Sequence, residues 1–459
     1  MTHPRFALFL SALLLLGGCA VGPDYRRPEV NMPAAWHAPR TGAITDVGNW
    51  WKRLNDPALN ALLAAAQKEN PTLDKATAAI MKARANRTSA QAGFFPTLNA
   101  GADATASGSL MNGSGTTRVG TVGLDASWEL DLFGKTRRSA ESAGALVQAR
   151  EADWQDARVS LAAEVADVYV QYRAARLKQT YYEEQAQSQD KTSELTRISA
   201  LAGFTARADA VLAEASAATT RAKALYQKAE CDVLVKSLVA LTGLEETEAR
   251  TILGNGTPSL PRPEGLAVTN VPADLLRQRP DIVAAERALA SASALIGVAE
   301  AAQWPSLSLT GSVGLSATRG ETTLAPWSFG PAITLPVFDG GRIRAGVTGA
   351  RADYDGALAD YKQTVRNAVK EVEQALVRLD GVRLREAQEL KSAQGYRAYL
   401  SAQEQNWRTG GASLLDHEIA RRLTIAAEVS LLELQENRLL YWIALYKAVG
   451  GGWRADASE

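Results

Sequence analysis

From about Lys135 to Ala202, and again from about Arg342 to Thr409, the chain contains no proline. A continuous helix of about 65 residues extends roughly 100 Å at 1.5 Å per residue, a length that no single compact domain contains. Within the two stretches, Leu161, Val165, Val168, Tyr172 and Ala175, and Val365, Val369, Val372, Leu376 and Leu379, step alternately by four and three, the seam of packed, supercoiled helices. Alanines such as Ala162, Ala163 and Ala166 lie beside the seam, so more than one face can pack closely. Gly203 and Gly410 break the stretches, and returning helices are predicted from about Thr205 to Gly243 and from about Ser413 to Gly450. The expectation is two long antiparallel helical hairpins.

The hairpins belong to a larger internal repeat. Asn70-Pro71 opens a helical stretch that ends at Phe95-Pro96, and Arg279-Pro280 opens one that ends at Trp304-Pro305, with 25 residues from proline to proline in each. Leu130 to Gly134 then corresponds to Leu335 to Asp339, Gly203 with Asp209 to Gly410 with Asp416, and Gly243 to Gly450; the offset stays between 205 and 209. Gly254, Gly256, Pro258, Pro261, Pro263, Gly265 and Pro272 mark a linker without regular periodicity. The predicted organisation is a leader at 1–18, an N-terminal segment at 19–60, a first repeat at 61–243, the linker at 244–272, a second repeat at 273–450 and a tail at 451–459.

Each repeat reads as a helix, two strands, the very long helix and the returning helix. The strands are expected at about 97–107, 119–131, 306–316 and 327–338. Leu98, Ala100, Ala102, Ala104 and Ala106 alternate with Asn99, Gly101, Asp103, Thr105 and Ser107; Val122, Leu124, Ala126, Trp128 and Leu130 alternate with Gly123, Asp125, Ser127, Glu129 and Asp131. The second repeat does the same, with Leu307, Leu309, Val313 and Leu315 against Ser308, Thr310, Ser312 and Ser316, then Trp327, Phe329, Ile333, Leu335 and Val337 against Ser328, Gly330 and Thr334. Segments of about ten residues with period two, joined by turns such as Asn112-Gly113-Ser114-Gly115, suit a transmembrane barrel strand. A soluble antiparallel sheet with one solvated face carries the same alternation. Four strands cannot close a barrel, since small barrels need about eight, so barrel strands would have to be pooled by several chains; three chains would give twelve. Pro331 and Pro336 place the fourth strand at an edge, or themselves near its ends.

The N-terminus favours the membrane. Arg5, the apolar run Phe6 to Leu16 and Leu16-Gly17-Gly18-Cys19 form a secretory leader too short to span a bilayer, with a close that resembles a bacterial lipobox. The resemblance implies cleavage before Cys19 and acylation of that residue, with Ala20 favouring onward export to an outer membrane. Balanced charge, with 50 Lys plus Arg against 50 Asp plus Glu, removes bulk attraction to nucleic acid; three His and two Cys leave little to build a zinc cluster or a Cys/His catalytic site. No constellation of acids, or of nucleophile and base, points to an enzyme, and no cofactor is expected beyond the covalent lipid on Cys19.

Cys19-Ala20-Val21-Gly22-Pro23-Asp24-Tyr25, Trp50-Trp51 before Asp56-Pro57, Trp128-Glu129-Leu130-Asp131-Leu132-Phe133-Gly134-Lys135, Arg279-Pro280-Asp281, Leu335-Pro336-Val337-Phe338-Asp339-Gly340-Gly341-Arg342 and Gly450-Gly451-Gly452-Trp453 together resemble the TolC-like outer-membrane efflux factors, in their NodT-type lipoprotein branch. The resemblance covers essentially all of the mature sequence. It implies a mainly α chain with a small β part: a homotrimer with a twelve-strand barrel in the outer membrane, a periplasmic α-barrel and a belt around its middle. It further implies the exit duct of a tripartite pump, partnered by a periplasmic adaptor and an inner-membrane transporter. The adaptor is expected at the hairpin tips, with Gly203, Thr205, Gly410 and Gly411 as candidate contacts. The gate is expected just after the second tip, where the family combines an apolar residue with an acid. Leu415 is the apolar candidate; Ile419 stands where relatives often carry Asp, so Asp416 or Glu418 is the candidate charge, with Asp209 its counterpart in the first repeat. Asp209 and Asp416 also suit helix N-capping, and the two roles can coexist. His417 reads as an exposed helical histidine and Cys231 as a packed thiol. A duct for protein secretion and a structural envelope lipoprotein without a lumen are the alternative functions.

Overall fold

The computed structural model describes residues 20–29, 36–37, 50–108, 116–256, 259–261 and 273–452. Cys19, the Asn112 to Gly115 turn, the prolines 258, 263 and 272, and Trp453 lie outside the described residues. After a short 3-10 turn at Trp50–Leu54 come α1 (Pro57–Lys68), α2 (Pro71–Ala92), β1 (Thr97–Ser107), β2 (Thr117–Leu130), α3 (Lys135–Leu201), α4 (Arg207–Thr242) and α5 (Glu246–Gly254). A second 3-10 turn, Ala273–Gln278, leads into α6 (Pro280–Ala301), β3 (Ser306–Thr318), β4 (Trp327–Thr334), α7 (Arg342–Arg408) and α8 (Leu414–Ala448). The two halves carry the same elements in the same order: α2 and α6 each have 22 residues, and α3 and α7 each have 67. Pro71 and Pro280 stand at the first helical position, where a missing N–H costs nothing.

Two expectations need correction. The linker contains α5, whose first turn carries Glu246 and Glu248 and whose Ala249 and Leu253, four apart, are buried. The fourth strand ends at Thr334 instead of continuing to 338, because Pro336 has no N–H to extend the ladder.

The chain divides into two compact units. One holds residues 1–30, 77–153 and 281–364. Here the four strands form one antiparallel sheet in the order β1-β2-β3-β4. The helices beside it follow the same order: Arg84 of α2 pairs with Glu151 of α3 at 2.7 Å, Ser142 of α3 shares a hydrogen with Ser291 of α6 at 2.8 Å, and Glu300 of α6 pairs with Arg351 of α7 at 2.8 Å. α6 is apolar enough to cross a membrane by composition, but more than half of its most apolar window is buried within the chain. Residues 20–29 are tied to this layer. The Val21 N–H donates to the Phe133 carbonyl at 3.1 Å, the buried Arg138 guanidinium donates to the Val21 and Gly22 carbonyls and to Asp24, and the Tyr25 hydroxyl donates to the buried Glu286 carboxylate at 2.6 Å. Burial and that carboxylate push the Tyr25 phenol up, so it stays protonated.

The other unit holds residues 31–76, 154–280 and 365–459. Its core gathers Leu59, Leu62 and Leu63 from α1, Val165, Tyr169 and Val170 from α3, Val235 and Leu238 from α4, and Trp442, Ile443 and Tyr446 from α8. Each large apolar side chain buried there contributes about 1.5–3 kcal/mol. Asp56 caps α1 by accepting from the Ala58 N–H at 2.9 Å, and its other oxygen accepts from the Tyr169 hydroxyl at 2.6 Å, which in turn accepts from Arg173 at 2.8 Å. Ion pairs and hydrogen bonds give the helix order α4-α3-α8-α7: Arg221 to Asp190, Lys178 to Glu436, and the Thr424 hydroxyl to the Tyr396 carbonyl.

Candidate functional site

The strand register joins the alternating residues into two continuous faces. On one, Leu98 lies opposite Ala126, Ala100 opposite Leu124 and Ala102 opposite Val122. Those β2 residues lie opposite Gly311, Val313 and Leu315 of β3, with Trp128 opposite Leu309 and Leu130 opposite Leu307. β4 continues the face with Trp327 opposite Val313, Phe329 opposite Gly311 and Ile333 opposite Leu307. Leu98, Val122, Leu124, Val313, Leu315, Trp327, Phe329 and Ile333 are all exposed. An apolar face of this extent, exposed among the described residues, calls for a bilayer or another protein. Pro331 sits on β4, an edge strand, as its missing N–H requires.

The opposite face is mostly polar or glycine, broken by Val119 on β2 and Ala332 on β4. Asn99 lies opposite Asp125, Asp103 opposite Thr121 with a hydrogen bond between their side chains, Asp125 opposite Ser312, and Ser312 opposite Ser328 with their hydroxyls 2.8 Å apart. The charged residues of this face within the strands are the acids Asp103, Asp125 and Glu129. Short hydroxyl and glycine side chains give such a wall wetness without a deep binding pocket.

The hairpin tips form the second candidate region. Gly203 (φ +81°) and Gly410 (φ +79°) adopt the left-handed conformation that ends α3 and α7. Gly203, Gly410 and Gly411 are exposed and Thr205 is half-buried, its hydroxyl 2.5 Å from that of Ser199. Asp416 is the partner residue of a capping box: Ser413 is the N-cap, its hydroxyl accepts from the Asp416 N–H at 3.1 Å, and the Asp416 carboxylate accepts from the Ser413 N–H at 3.1 Å. The Ser413 hydroxyl and N–H hold the Asp416 carboxyl below its usual range, so it is charged at neutral pH. Asp209 occupies the same third position of α4, behind an N-cap that is Ala206 and offers no side-chain bond.

The gate candidates separate by face. Asp416 and Ile419 are exposed, and Leu415 is half-buried. Glu418 turns inward: only 3 % exposed, it accepts from the Ser188 hydroxyl at 2.7 Å and the Gln189 amide at 3.0 Å on α3. A carboxylate engaged between helices does not present a ring charge, which leaves Asp416 as the exposed acid of this turn. His417 is likewise buried, against the expectation of an exposed histidine, stacked on Trp407 with ring centres 5.5 Å apart. Cys231 is a buried thiol, pushed up to about 11 by burial. Among the described residues no cluster of His, Cys, Asp and Glu is arranged to hold a metal ion.

The profile of the outer membrane efflux protein family matches residues 62–244 and 271–451. The chain belongs to the outer membrane efflux protein family. Nodulation protein T of Rhizobium leguminosarum bv. trifolii is 33% identical, covering 97% of each chain, and outer membrane protein OprJ of Pseudomonas aeruginosa is 31% identical, covering 99% of this chain and 97% of its own. Among solved structures, the outer-membrane channel OprN superposes with a TM-score of 0.83 at 33% identity, over 95% of this chain and all of that one. The MtrE channel of Neisseria gonorrhoeae, in its open state, gives 0.82 at 28% identity, over 96% and 100%. The homologues in this family are outer-membrane efflux channels, not enzymes.

Three features of this family member left only weak marks in its sequence. Arg138 and Glu286 read as ordinary helix charges, yet each is buried by a partner more than a hundred residues away. The inward turn of Glu418 left no local mark: it reads as an ordinary helix acid four residues before Arg422, yet it is buried on α8 along with Ala420 and Thr424.

Proposed function

We propose that three copies of the chain close into a twelve-strand barrel across the outer membrane, and that the barrel is the exit duct of a tripartite pump of the RND type passing small molecules outward. One observation carries the reading: the apolar face runs in register across all four strands while the opposite face is polar or glycine except at Val119 and Ala332. A membrane-spanning sheet must have no open edge, yet β1 and β4 are both edges. The helices repeat the problem. α2 and α7 lie at the corresponding edges of the first unit, and α4 and α7 are outermost in the second, with exposed Leu225, Tyr226 and Val233 on α4 and Val377, Leu384 and Leu390 on α7. Head-to-tail association, each chain's first edge meeting its neighbour's last, satisfies strands and helices together, and a rotation that closes gives a ring.

Acylated Cys19 would add a lipid anchor beside the barrel. The tips at Gly203, Thr205, Gly410 and Gly411 would receive a periplasmic adaptor, which links the duct to an inner-membrane transporter. Leu415, Asp416 and Ile419, on the exposed side of the first turns of α8, would narrow the entrance, with Asp209 as the first-repeat acid. Relatives carry names that include cation efflux, toluene efflux and solvent efflux, so cargo selection is assigned to the transporter. Electron-microscope imaging of the detergent-purified protein tests the reading: three-fold hollow particles support it, and solid rods or monomers overturn it.

A further inference from the structure

The outward face of β2 and β3 is a column of directly opposed pairs: Leu130 with Leu307, Trp128 with Leu309, Ala126 with Gly311, Leu124 with Val313, Val122 with Leu315 and Gly120 with Ala317. At about 3.4 Å per residue and a tilt of about 40°, these six rungs span roughly 26 Å, the height of the apolar band of an outer-membrane barrel. The next rung is Arg118 opposite Arg319. The Arg319 N–H donates to the Arg118 carbonyl at 3.0 Å, which extends the ladder by one step, and alternation puts both side chains on the outward face. Arg118 is the one basic residue within the four strands.

Like charges directly opposite one another repel, with Cβ atoms only about 5 Å apart. Among the described residues nothing offsets this. Both arginines are exposed, and among the described residues neither has a carboxylate within ion-pair distance. Glu321, beyond the Gly320 turn, makes no ion pair with either, and residues 109–115, which follow β1, contain no charged side chain. Two guanidinium forks just past the end of an apolar band are arranged to take a phosphate oxygen cluster from the membrane surface.

We propose that Arg118 and Arg319 form a clamp for the phosphate groups of a phosphorylated glycolipid in the outer leaflet. The assignment rests on the barrel reading above, which puts this end of the sheet, opposite to the α3 and α7 junctions and to the docked residues 20–29, at the external surface. That leaflet is built from phosphorylated glycolipid in Gram-negative envelopes, so the clamp would seat the barrel at a fixed depth against its phosphate layer.

The test uses the full-length protein in detergent, incubated with purified lipopolysaccharide that carries its lipid A phosphates, and glycolipid bound per chain is measured. Arg118→Gln with Arg319→Gln should lower binding about tenfold or more, since two charge-assisted contacts are lost. The Arg118→Lys, Arg319→Lys pair, which keeps the charge, should retain much of it, and dephosphorylated glycolipid should bind wild type and Gln pair equally weakly. Unchanged binding in the Gln pair overturns the clamp. So does full competition by millimolar inorganic phosphate, which would mark a free-anion site, or equal retention of phosphatidylglycerol, which would mark unspecific attraction. Conductance of the same preparations keeps the two readings apart: conducting protein with no arginine dependence refutes the clamp alone, and protein that never conducts refutes the barrel.

Discussion

Leu124 offers the most direct perturbation of the sheet. It lies midway along the outward column between Arg118 and Leu130, opposite Ala100 on β1 and Val313 on β3. Its chain neighbour Asp125 projects from the other face, opposite Asn99 and Ser312. If the outward face meets lipid, Leu124→Arg puts a guanidinium at the bilayer midplane, at a cost of about 2–4 kcal/mol. At 1.4 kcal/mol per decade, that shifts the equilibrium between inserted and urea-unfolded protein by roughly 30- to 700-fold. Asp125→Arg should cost little, because its side chain stays in water. Urea titration of refolding into phospholipid vesicles, followed by protease protection, reads both variants. A penalty at Asp125 equal to or larger than that at Leu124 would refute the assignment of the two faces.

Four further outcomes are expected. Removing the capping box with Ser413→Ala should fray the start of α8; because the Asp416 carboxyl is held below its usual range, the box contributes fully above about pH 4 and is lost as the pH falls through the lowered value, which hydrogen exchange at the second tip will show. Burial pushes the Asp167 carboxyl up to about 7, so the folded state holds its proton more tightly and this group's effect lowers stability as the pH rises from about 4 to 7; Asp167→Asn should flatten that part of the pH profile of urea denaturation. A Cβ at Gly22, whose φ is +92°, would stand 2.4 Å from the Gly297 Cα, so Gly22→Ala should release residues 20–29 and expose them to protease. Leu415→Ala with Asp416→Ala should widen the entrance and raise channel leak, measured as uptake of a large antibiotic by cells that produce the variant.

The period-two faces were legible because every outward position of β2 from Val122 to Leu130 is apolar and every intervening one is polar or glycine, a pattern that needs no partner to be seen. The paired prolines and glycines marked the ends of α2, α3, α6 and α7 for the same reason: they act on their own backbone. α5 was hidden because Pro258, Pro261 and Pro263 dominate the linker, although Glu246 and Glu248 ahead of Ala249 and Leu253 are a helix start in miniature. The ties of Arg138 to Asp24 and of Tyr25 to Glu286 span 114 and 261 residues, and no local period encodes contacts of that range. At the gate, sequence position brought Leu415, Asp416, Glu418 and Ile419 together, but which of them faces outward depends on how α8 rolls against Ser188 and Gln189 of α3, and that roll excluded Glu418.

Single-channel recording in a planar lipid bilayer, with the purified mature protein, bears most directly on the duct. A closed barrel with a polar inner wall predicts discrete, stable conductance steps, with larger or more frequent openings when Leu415 and Asp416 are replaced by alanine. Protein that is inserted in the bilayer, as judged by protease protection, and yet never conducts in either form would contradict it.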